Sequence, residues 1–172
     1  MRLSIVSDEI SLDLTTALEV MQDHNLREFE LRRLGLTALA EAGESWLELA
    51  EKAVNFKRFR VTSIATGFFF DNLPSAEQTR RMFDLAKRLH CNLLSIHGMK
   101  MDAVAAADSE PDEDEDAEDE EANVSLPPPP VLAAMQSFVK SAAEEKLQVA
   151  LRPHPATYIG TADEAMALLE AI

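Results

Sequence analysis

Short apolar runs of strand length alternate with longer stretches of helical periodicity along this chain. The strand-like runs are residues 3–7, 28–32, 61–65, 93–96 and 147–151. Apolar residues in the stretches that follow recur every three or four positions, which gives each stretch one apolar helical face. These faces comprise Leu14, Ala17, Leu18 and Met21; Trp46, Leu49, Ala50 and Ala53; Met82, Leu85, Ala86 and Leu89; Leu132, Met135, Val139 and Ala142; and Met166, Leu168, Leu169 and Ile172.

Helix boundaries are marked by capping residues. Asp13 is a predicted N-cap and Asn25 a predicted stop for the first helix. Ser75 and Gln78 have the spacing of a capping box, in which each side chain satisfies an exposed backbone N–H of the other residue. A second capping box is predicted at residues 161–164.

Strand followed by helix, five times over, predicts parallel strands joined by helical crossovers within a single domain over residues 1–172. Two α/β architectures fit this pattern: an open doubly wound sheet, or a (β/α)8 TIM barrel that is truncated after about five β/α units. Periodicity alone does not separate them. A barrel of five units would leave an unpaired strand edge and an uncovered interior.

An acidic, proline-rich insert interrupts the rhythm between the fourth strand and the fourth helix. The segment 102–121 contains twelve acids and no base, and subtracting these twelve charges from the net charge of −15 leaves −3 for the rest of the chain. Four consecutive prolines follow at 127–130. We expect residues 102–130 to be disordered. A solvated spacer is the favoured role, with a docking tail for a basic partner and a weak cation sponge as alternatives.

Composition excludes several classes of function. No basic stripe is present, which argues against nucleic-acid binding. No apolar run reaches the length of a membrane span, and the first residues lack the apolar core of a secretory signal, so we expect a cytoplasmic protein. The single cysteine, Cys91, rules out an intramolecular disulfide and is expected to be a buried core thiol.

Three stretches of the chain, taken in order, resemble the xylose-isomerase-like (sugar phosphate isomerase/epimerase) family. They are MRLSIVSDEI at 1–10, FELR at 29–32, and the fifth unit from 149 through YIGT to 169. The resemblance implies that this chain is the N-terminal portion of a TIM barrel with a divalent metal, Mn²⁺ or Mg²⁺, at its C-terminal face. It also implies isomerisation or epimerisation of a sugar, sugar phosphate or polyol, with the metal stabilising an enediolate while a proton moves between carbons.

The chain departs from the family pattern at the end of the fifth strand. Family members commonly place a metal-binding glutamate there, in a context similar to Ala-Leu-Glu-Asn, whereas here the run is Ala-Leu-Arg-Pro with Arg152 at that position. A fixed positive charge repels a metal ion. The other usual ligands of the family come from strands six to eight. We therefore expect the metal site of this chain to be incomplete.

Two candidate catalytic residues follow from the resemblance. Glu30 shares one face of the second strand with Arg32 by alternation, and the pair could either contact a substrate or form an internal ion pair. His97 ends the fourth strand, where the family often places a histidine near the substrate or metal. The alternative for His97 is a hydrogen bond to a loop carbonyl.

Three candidate substrate-binding residues carry positive charge or an imidazole. Arg32 is one, and Arg152 and His154, which flank Pro153, could bind an anionic substrate without a metal. Asp8 and Glu9 follow the first strand and are expected on a solvated turn.

Two hypotheses from different classes remain. The first is a sugar isomerase or epimerase acting on a small sugar or sugar phosphate. The second is a non-catalytic barrel-like protein that acts through protein–protein interaction, with its barrel completed by self-association or by a partner. A nuclease of the related endonuclease branch is a third possibility, which the acidic surface opposes.

Overall fold

The structure is a computed structural model of the chain, and it describes residues 3–69, 74–97, 127–152 and 162–172. The strands are β1 (Ile5–Val6), β2 (Glu28–Leu31), β3 (Arg33–Leu34), β4 (Thr37–Ala38), β5 (Arg60–Phe69), β6 (Leu93–His97) and β7 (Gln148–Arg152). The α-helices are α1 (Leu14–Asp23), α2 (Glu44–Lys57), α3 (Ala76–Arg88), α4 (Pro129–Glu144) and α5 (Ala162–Ala171). Two short 3-10 turns, Ser7–Glu9 and Leu39–Glu41, precede α1 and α2.

The main sheet has five parallel strands in the order β1-β2-β5-β6-β7, which is also their order along the chain. Parallel crossovers are right-handed, so a strand order without reversal places every connecting helix on the same face of the sheet. An open doubly wound sheet requires a reversal of strand order, so that helices cover both faces. The topology therefore confirms the barrel alternative, with five β/α units described.

The sheet curves toward the face that bears Glu30. Glu30 on β2 and Arg152 on β7 are three strand intervals apart, which is roughly 14 Å in a flat sheet. Arg152 Nη2 nevertheless lies 2.6 Å from the Glu30 carboxylate oxygens. Since side chains stand roughly perpendicular to a sheet, this contact requires a concave surface, as the wall of a barrel provides.

The two faces of the sheet differ in polarity. Five side chains of the convex face are almost completely buried under the helices: Phe29, Leu31, Ile64, Leu94 and Ile96. Helix residues such as Leu18, Met82 and Met135 belong to the same core cluster. On the concave face, the buried residues Glu30, Ser63 and Ser95 are polar. The hydrophobic effect thus attaches the helices to one side and leaves the other side for chemistry.

Two helices bury a different face from the one predicted. On α2 the buried residues include Leu47, Ala50 and Val54, while Trp46 and Leu49 remain exposed. The two candidate stripes are neighbours on the same helix, and docking against the sheet selected the stripe with Leu47 and Val54. On α5 Leu168 is buried as predicted, but Met166 and Leu169 are exposed, because α5 follows the edge strand of the described sheet.

A small hairpin between β2 and α2 was not predicted. Strands β3 and β4 pair antiparallel across a two-residue turn in which Gly35 has a φ of 63°, a conformation that glycine adopts readily. The Gly35 amide donates to the carbonyl of Leu12 at 3.1 Å, which joins this hairpin to the loop after β1. Two-residue strands carry too little periodicity to be recognised in a sequence.

The predicted helix caps within the described residues are confirmed. The Asp13 carboxylate accepts from the Thr16 amide at 2.7 Å, and this backbone hydrogen bond lowers the pKa of Asp13. Asn25 has a positive φ of 57° just after α1. The capping box predicted at 161–164 begins at Thr161, which lies outside the described residues.

Cys91 is buried, and burial raises the pKa of its thiol.

Replacing Ser75 with alanine is expected to lower the free energy of unfolding by about 1 kcal/mol. Ser75 Oγ accepts from the Gln78 amide at 3.1 Å, and Gln78 Oε1 accepts from the Ser75 amide at 2.8 Å, so the change removes half of the capping box of α3. Urea denaturation followed by circular dichroism measures the difference. A Ser75→Asn control should retain most of the stability, since Asn is an equally good cap; equal stability of Ser75→Ala and the wild type would contradict the prediction.

The acidic segment 102–121 lies outside the described residues. The structure differs from the prediction at the end of the insert, because α4 begins at Pro129, within the predicted disordered stretch 102–130. Proline lacks an N–H and has a fixed φ, so it is well suited to the first turn of a helix. Across the described residues, no helix is both long enough and apolar enough to cross a membrane.

Candidate functional site

Glu30 is the most buried charged residue of the concave face, with 8% of its surface exposed. It lies near the carboxyl end of β2, where barrel enzymes carry their active sites. Ser63 of β5 donates its hydroxyl to Glu30 Oε2 at 2.8 Å. Arg152 Nη2 donates to both carboxylate oxygens at 2.6 Å. Both oxygens of Glu30 are therefore held by groups from two other strands.

Arg152 is the last residue of β7, and its side chain is 34% exposed. Its contact with Glu30 uses Nη2 alone. The described residues accept no hydrogen bond from its Nε or Nη1. One side of the guanidinium thus bonds to an internal carboxylate, while no described residue accepts from the remaining N–H groups.

Strand register places His97 beside this pair. His97 of β6 pairs in register with Arg152 of β7, and residues paired in parallel register share one face of the sheet. Ser95 lies two residues earlier, between Ala65 and Ala150 on the neighbouring strands. Ser95 Oγ is buried and makes no hydrogen bond to a described residue. The concave face therefore carries a carboxylate, an imidazole, a guanidinium and a buried hydroxyl.

Arg32 belongs to a separate cluster at the end of β2. Its Nη2 donates to Asp8 at 2.8 Å and to Glu9 at 2.6 Å, and its Nε donates to Asp8 at 3.0 Å. The hydrogen bond to Asp8 is the main reason that the pKa of Arg32 is raised. The Asp8 side chain is only 7% exposed, so its expected place on a solvated turn was wrong, while Glu9 is exposed.

The structure pairs the candidate residues differently from the internal Glu30–Arg32 ion pair that the sequence allowed. Glu30 and Arg32 do not form an ion pair with each other: Glu30 pairs with Arg152, and Arg32 pairs with Asp8 and Glu9. No role was predicted for Ser63, although its position on an alternating strand was a usable signal. His154 lies outside the described residues.

The donor set of the concave face does not fit a divalent metal within the described part of the chain. Hard cations take carboxylate oxygens as ligands, but both oxygens of Glu30 are already bonded to the cationic guanidinium of Arg152. No group of three or more His, Cys, Asp or Glu side chains among the described residues is arranged to hold a metal ion. A fixed side-chain cation stands against the carboxylate that a metal would need.

A groove of about 670 Å³ lies on the outside of the barrel wall, between α3 and α4. Its floor is formed by Phe83 and Phe138, whose ring centroids are 5.6 Å apart, and Phe68 also packs edge-on against Phe138. None of the candidate residues lines it. The chemistry of the described residues is concentrated instead on the concave face.

Fold and site together define a partial β/α barrel with a polar concave face at the carboxyl ends of its strands. No protein-family model and no curated protein matches the sequence. Solved structures do match it. They include a xylose isomerase-like TIM barrel protein from Mycobacterium smegmatis in complex with magnesium (TM-score 0.65, 14% identity). They also include the probable 3-DHS dehydratase AsbF of Bacillus anthracis, involved in petrobactin synthesis (0.64, 15%), and the apo form of the 3-keto-D-glucoside 4-epimerase of E. coli (0.64, 13%).

These structures have the same fold over nearly all of this chain. The alignments cover 98%, 99% and 98% of it, but only 60%, 59% and 63% of the three neighbours. This chain therefore spans about three-fifths of the length of the solved structures, as an N-terminal portion of such a barrel would. The resemblance to xylose-isomerase-like TIM barrels, expected from the sequence, is confirmed at the level of the fold.

Proposed function

We propose that this chain binds a sugar-class ligand at the carboxyl ends of its strands and transfers a proton on it, with an internal ion pair in place of the family's metal. The observation that carries this proposal is the 2.6 Å contact between Arg152 and both oxygens of Glu30 across the concave face. A buried carboxylate beside a partly exposed guanidinium supplies a base and a fixed positive charge in one site.

Each side chain has a role in the proposed reaction. Glu30 removes a proton from the carbon next to the ligand's carbonyl group. The electron pair of that C–H bond forms a carbon–carbon double bond, and the π pair of the carbonyl moves onto its oxygen, giving an enediolate. The N–H groups of Arg152 that Glu30 does not engage stabilise this oxygen. His97 beside Arg152 returns a proton. In an epimerisation the proton goes to the same carbon from the opposite side. In an isomerisation it goes to the former carbonyl carbon, while the proton of the hydroxyl on the first carbon passes to the former carbonyl oxygen.

The matched structures bear on the proposed substrate class through the activities and ligands that they are named for. One neighbour is a sugar epimerase, another is a probable dehydratase, and a third was crystallised with magnesium. The fold thus hosts more than one reaction, and function has to be argued from the site. Sugars and sugar phosphates are the ligands we propose, because hydroxyl and oxyanion groups match the donors of Arg152 and Ser95.

Exchange of a carbon-bound proton with solvent tests this function. We expect the protein, after treatment with EDTA, to exchange one proton of an aldose, ketose or sugar phosphate in D₂O, as followed by ¹H NMR. Glu30→Gln should lower the exchange rate about 100-fold or more, since it removes the base. Glu28→Gln, on the same strand and the same face, is the matched control and should exchange at the wild-type rate.

Two outcomes would overturn the proposal. Exchange that requires Mn²⁺ or Mg²⁺, together with a stoichiometric bound metal and a metal-dependent rise in Tm, would show that the site is a metal site after all. Equal exchange in Glu30→Gln and the wild type would show that Glu30 is not the base.

The second candidate is a non-catalytic role in protein–protein interaction. The observation that favours it is the exposed apolar surface of α5, the helix after the edge strand β7, on which Met166 and Leu169 are exposed. A self-association or a partner that completes the barrel would cover this surface. A monodisperse monomer that unfolds cooperatively in light scattering and denaturation measurements would argue against it.

A further inference from the structure

Arg152 is bonded to one carboxylate, that of Glu30, and no described residue accepts from its other N–H groups. A guanidinium has five N–H donors arranged to hold an oxyanion in a bidentate manner. Glu30 engages only Nη2, and the side chain is 34% exposed. An oxyanion that enters from solvent can therefore approach Arg152 without first disturbing the barrel wall.

Glu30 has a second partner that does not depend on Arg152. The Ser63 hydroxyl donates to Glu30 Oε2 at 2.8 Å from the neighbouring strand β5. If Arg152 turns toward another anion, the carboxylate keeps this one hydrogen bond. The carboxylate oxygen Oε1, which Arg152 alone contacts among the described residues, is then open to accept a proton.

Small residues form the layer of the concave face next to Arg152. Ala65, Ser95 and Ala150 are in register on β5, β6 and β7, one layer before His97 and Arg152. Ser95 Oγ is buried, and no described residue bonds to it. The hydroxyl of Ser95 is thus a donor without a described acceptor in the layer next to Arg152.

Arg32, the arginine at the end of β2, has two carboxylate partners, whereas Arg152 has one among the described residues. Arg32 donates through Nε and Nη2 to Asp8 and also reaches Glu9, so two carboxylates surround one cation. This cluster carries an excess negative charge and repels an incoming anion. Arg152 is balanced by one carboxylate, Glu30, which makes it the favoured anion site of the concave face.

We propose that the ligand carries an oxyanion, such as the phosphate of a sugar phosphate, which displaces Glu30 from Arg152 and so frees the Glu30 carboxylate to act as the base. This inference rests on the proposed function of the same site and adds how an anionic substrate activates the base. A neutral sugar would leave the ion pair closed, so its proton would exchange more slowly than that of the corresponding sugar phosphate. The anionic group of the substrate thus releases the carboxylate that removes a proton from the substrate's carbon skeleton.

Calorimetric titration with inorganic phosphate tests the exchange of partners. Glu30→Gln removes the competing carboxylate and keeps its shape, so we expect the Kd for phosphate to fall roughly tenfold or more, the effect of one charge-assisted hydrogen bond. Glu30→Asp, which withdraws the carboxylate by one methylene, should also lower the Kd and serves if Glu30→Gln does not fold. Arg152→Gln should abolish binding. Asp8→Asn, which neutralises a partner of Arg32, is the matched control and should leave the Kd within about twofold, since Glu9 still holds Arg32.

A Kd that stays unchanged or rises in both Glu30 variants would overturn the proposal, as would equal tightening in Asp8→Asn. The two proposals fail separately. Tighter phosphate binding in Glu30→Gln with no proton exchange on any sugar would remove the catalytic function but leave the exchange of partners standing. Proton exchange on neutral sugars at the rate for their phosphates, with unchanged phosphate affinity in the variants, would remove the exchange of partners but leave the catalytic function standing.

Discussion

Replacing Arg152 with glutamine is expected to lower the free energy of unfolding by about 2 kcal/mol, because it leaves the carboxylate of Glu30 buried without its cation. Breaking a fully buried ion pair costs about 3–5 kcal/mol, and we expect less here because solvent reaches the Arg152 side chain. Urea denaturation at pH 7, with the midpoint and the slope both fitted, measures the change.

A double variant separates loss of the pair from loss of a side chain. Glu30→Gln combined with Arg152→Gln replaces both charges with neutral amides, so it should recover at least half of the stability lost by Arg152→Gln alone. Arg81→Gln is the exposed control. Arg81 contacts Glu77 at 3.0 Å on the surface of α3, and its loss should change stability by about 0.5 kcal/mol or less. Equal effects of Arg81→Gln and Arg152→Gln would show that the cross-barrel pair has no structural role.

Replacing Phe29 with alanine is expected to lower the free energy of unfolding by about 3–4 kcal/mol. Phe29 lies on the convex face of β2, is completely buried, and packs edge-on against Phe59 with ring centroids 6.2 Å apart. The change removes transfer free energy and leaves a cavity between the sheet and its helices. The same denaturation experiment measures it, and the fluorescence of Trp46 supplies an independent probe of the transition.

Phe56 supplies the matched control for Phe29. It is a phenylalanine of α2 that is 89% exposed, so Phe56→Ala should change stability by no more than about 0.5 kcal/mol. Phe29→Leu should cost about 1 kcal/mol, since it keeps most of the buried volume. A loss below about 1 kcal/mol in Phe29→Ala would mean that the outer face of the sheet is not packed as the structure shows.

Much of the architecture was predictable because it depends on the polarity and spacing of residues that are close together in the chain. The alternation in FELR placed Phe29 and Leu31 on one face and Glu30 on the other, and burial confirms this division. The Ser75–Gln78 capping box and the Asn25 stop were identified from spacing alone and lie where expected. Such features depend on interactions within a few residues, so a sequence carries them directly.

Other features were missed or misassigned because they depend on neighbours far along the chain. The face of α2 was assigned to Trp46 and Leu49, yet docking against the sheet buried Leu47 and Val54. Asp8 was expected in solvent, but it binds Arg32, which lies 24 positions away. Periodicity gives the number of apolar faces a helix could bury, whereas the shape of the surface beneath it selects the one that is used.

The candidate site shows the same division between local and distant information. The sequence supplied Glu30, His97 and Arg152 as residues at strand ends, and it marked Arg152 as the departure from the metal-binding pattern. It did not reveal that Arg152 holds Glu30, since the two are 122 positions apart. That contact exists because the sheet curves, and curvature is a property of the assembled strands.

The β/α repeat, the helix caps and the resemblance to xylose-isomerase-like barrels could all be read from the chain, because they rest on local spacing and polarity. The choice between a barrel and an open sheet required the strand order, which has no reversal. The carboxylate that each arginine binds also became known only from the assembled fold. These pairs join residues far apart in the chain, and the curvature of the assembled sheet brings Arg152 within 2.6 Å of Glu30.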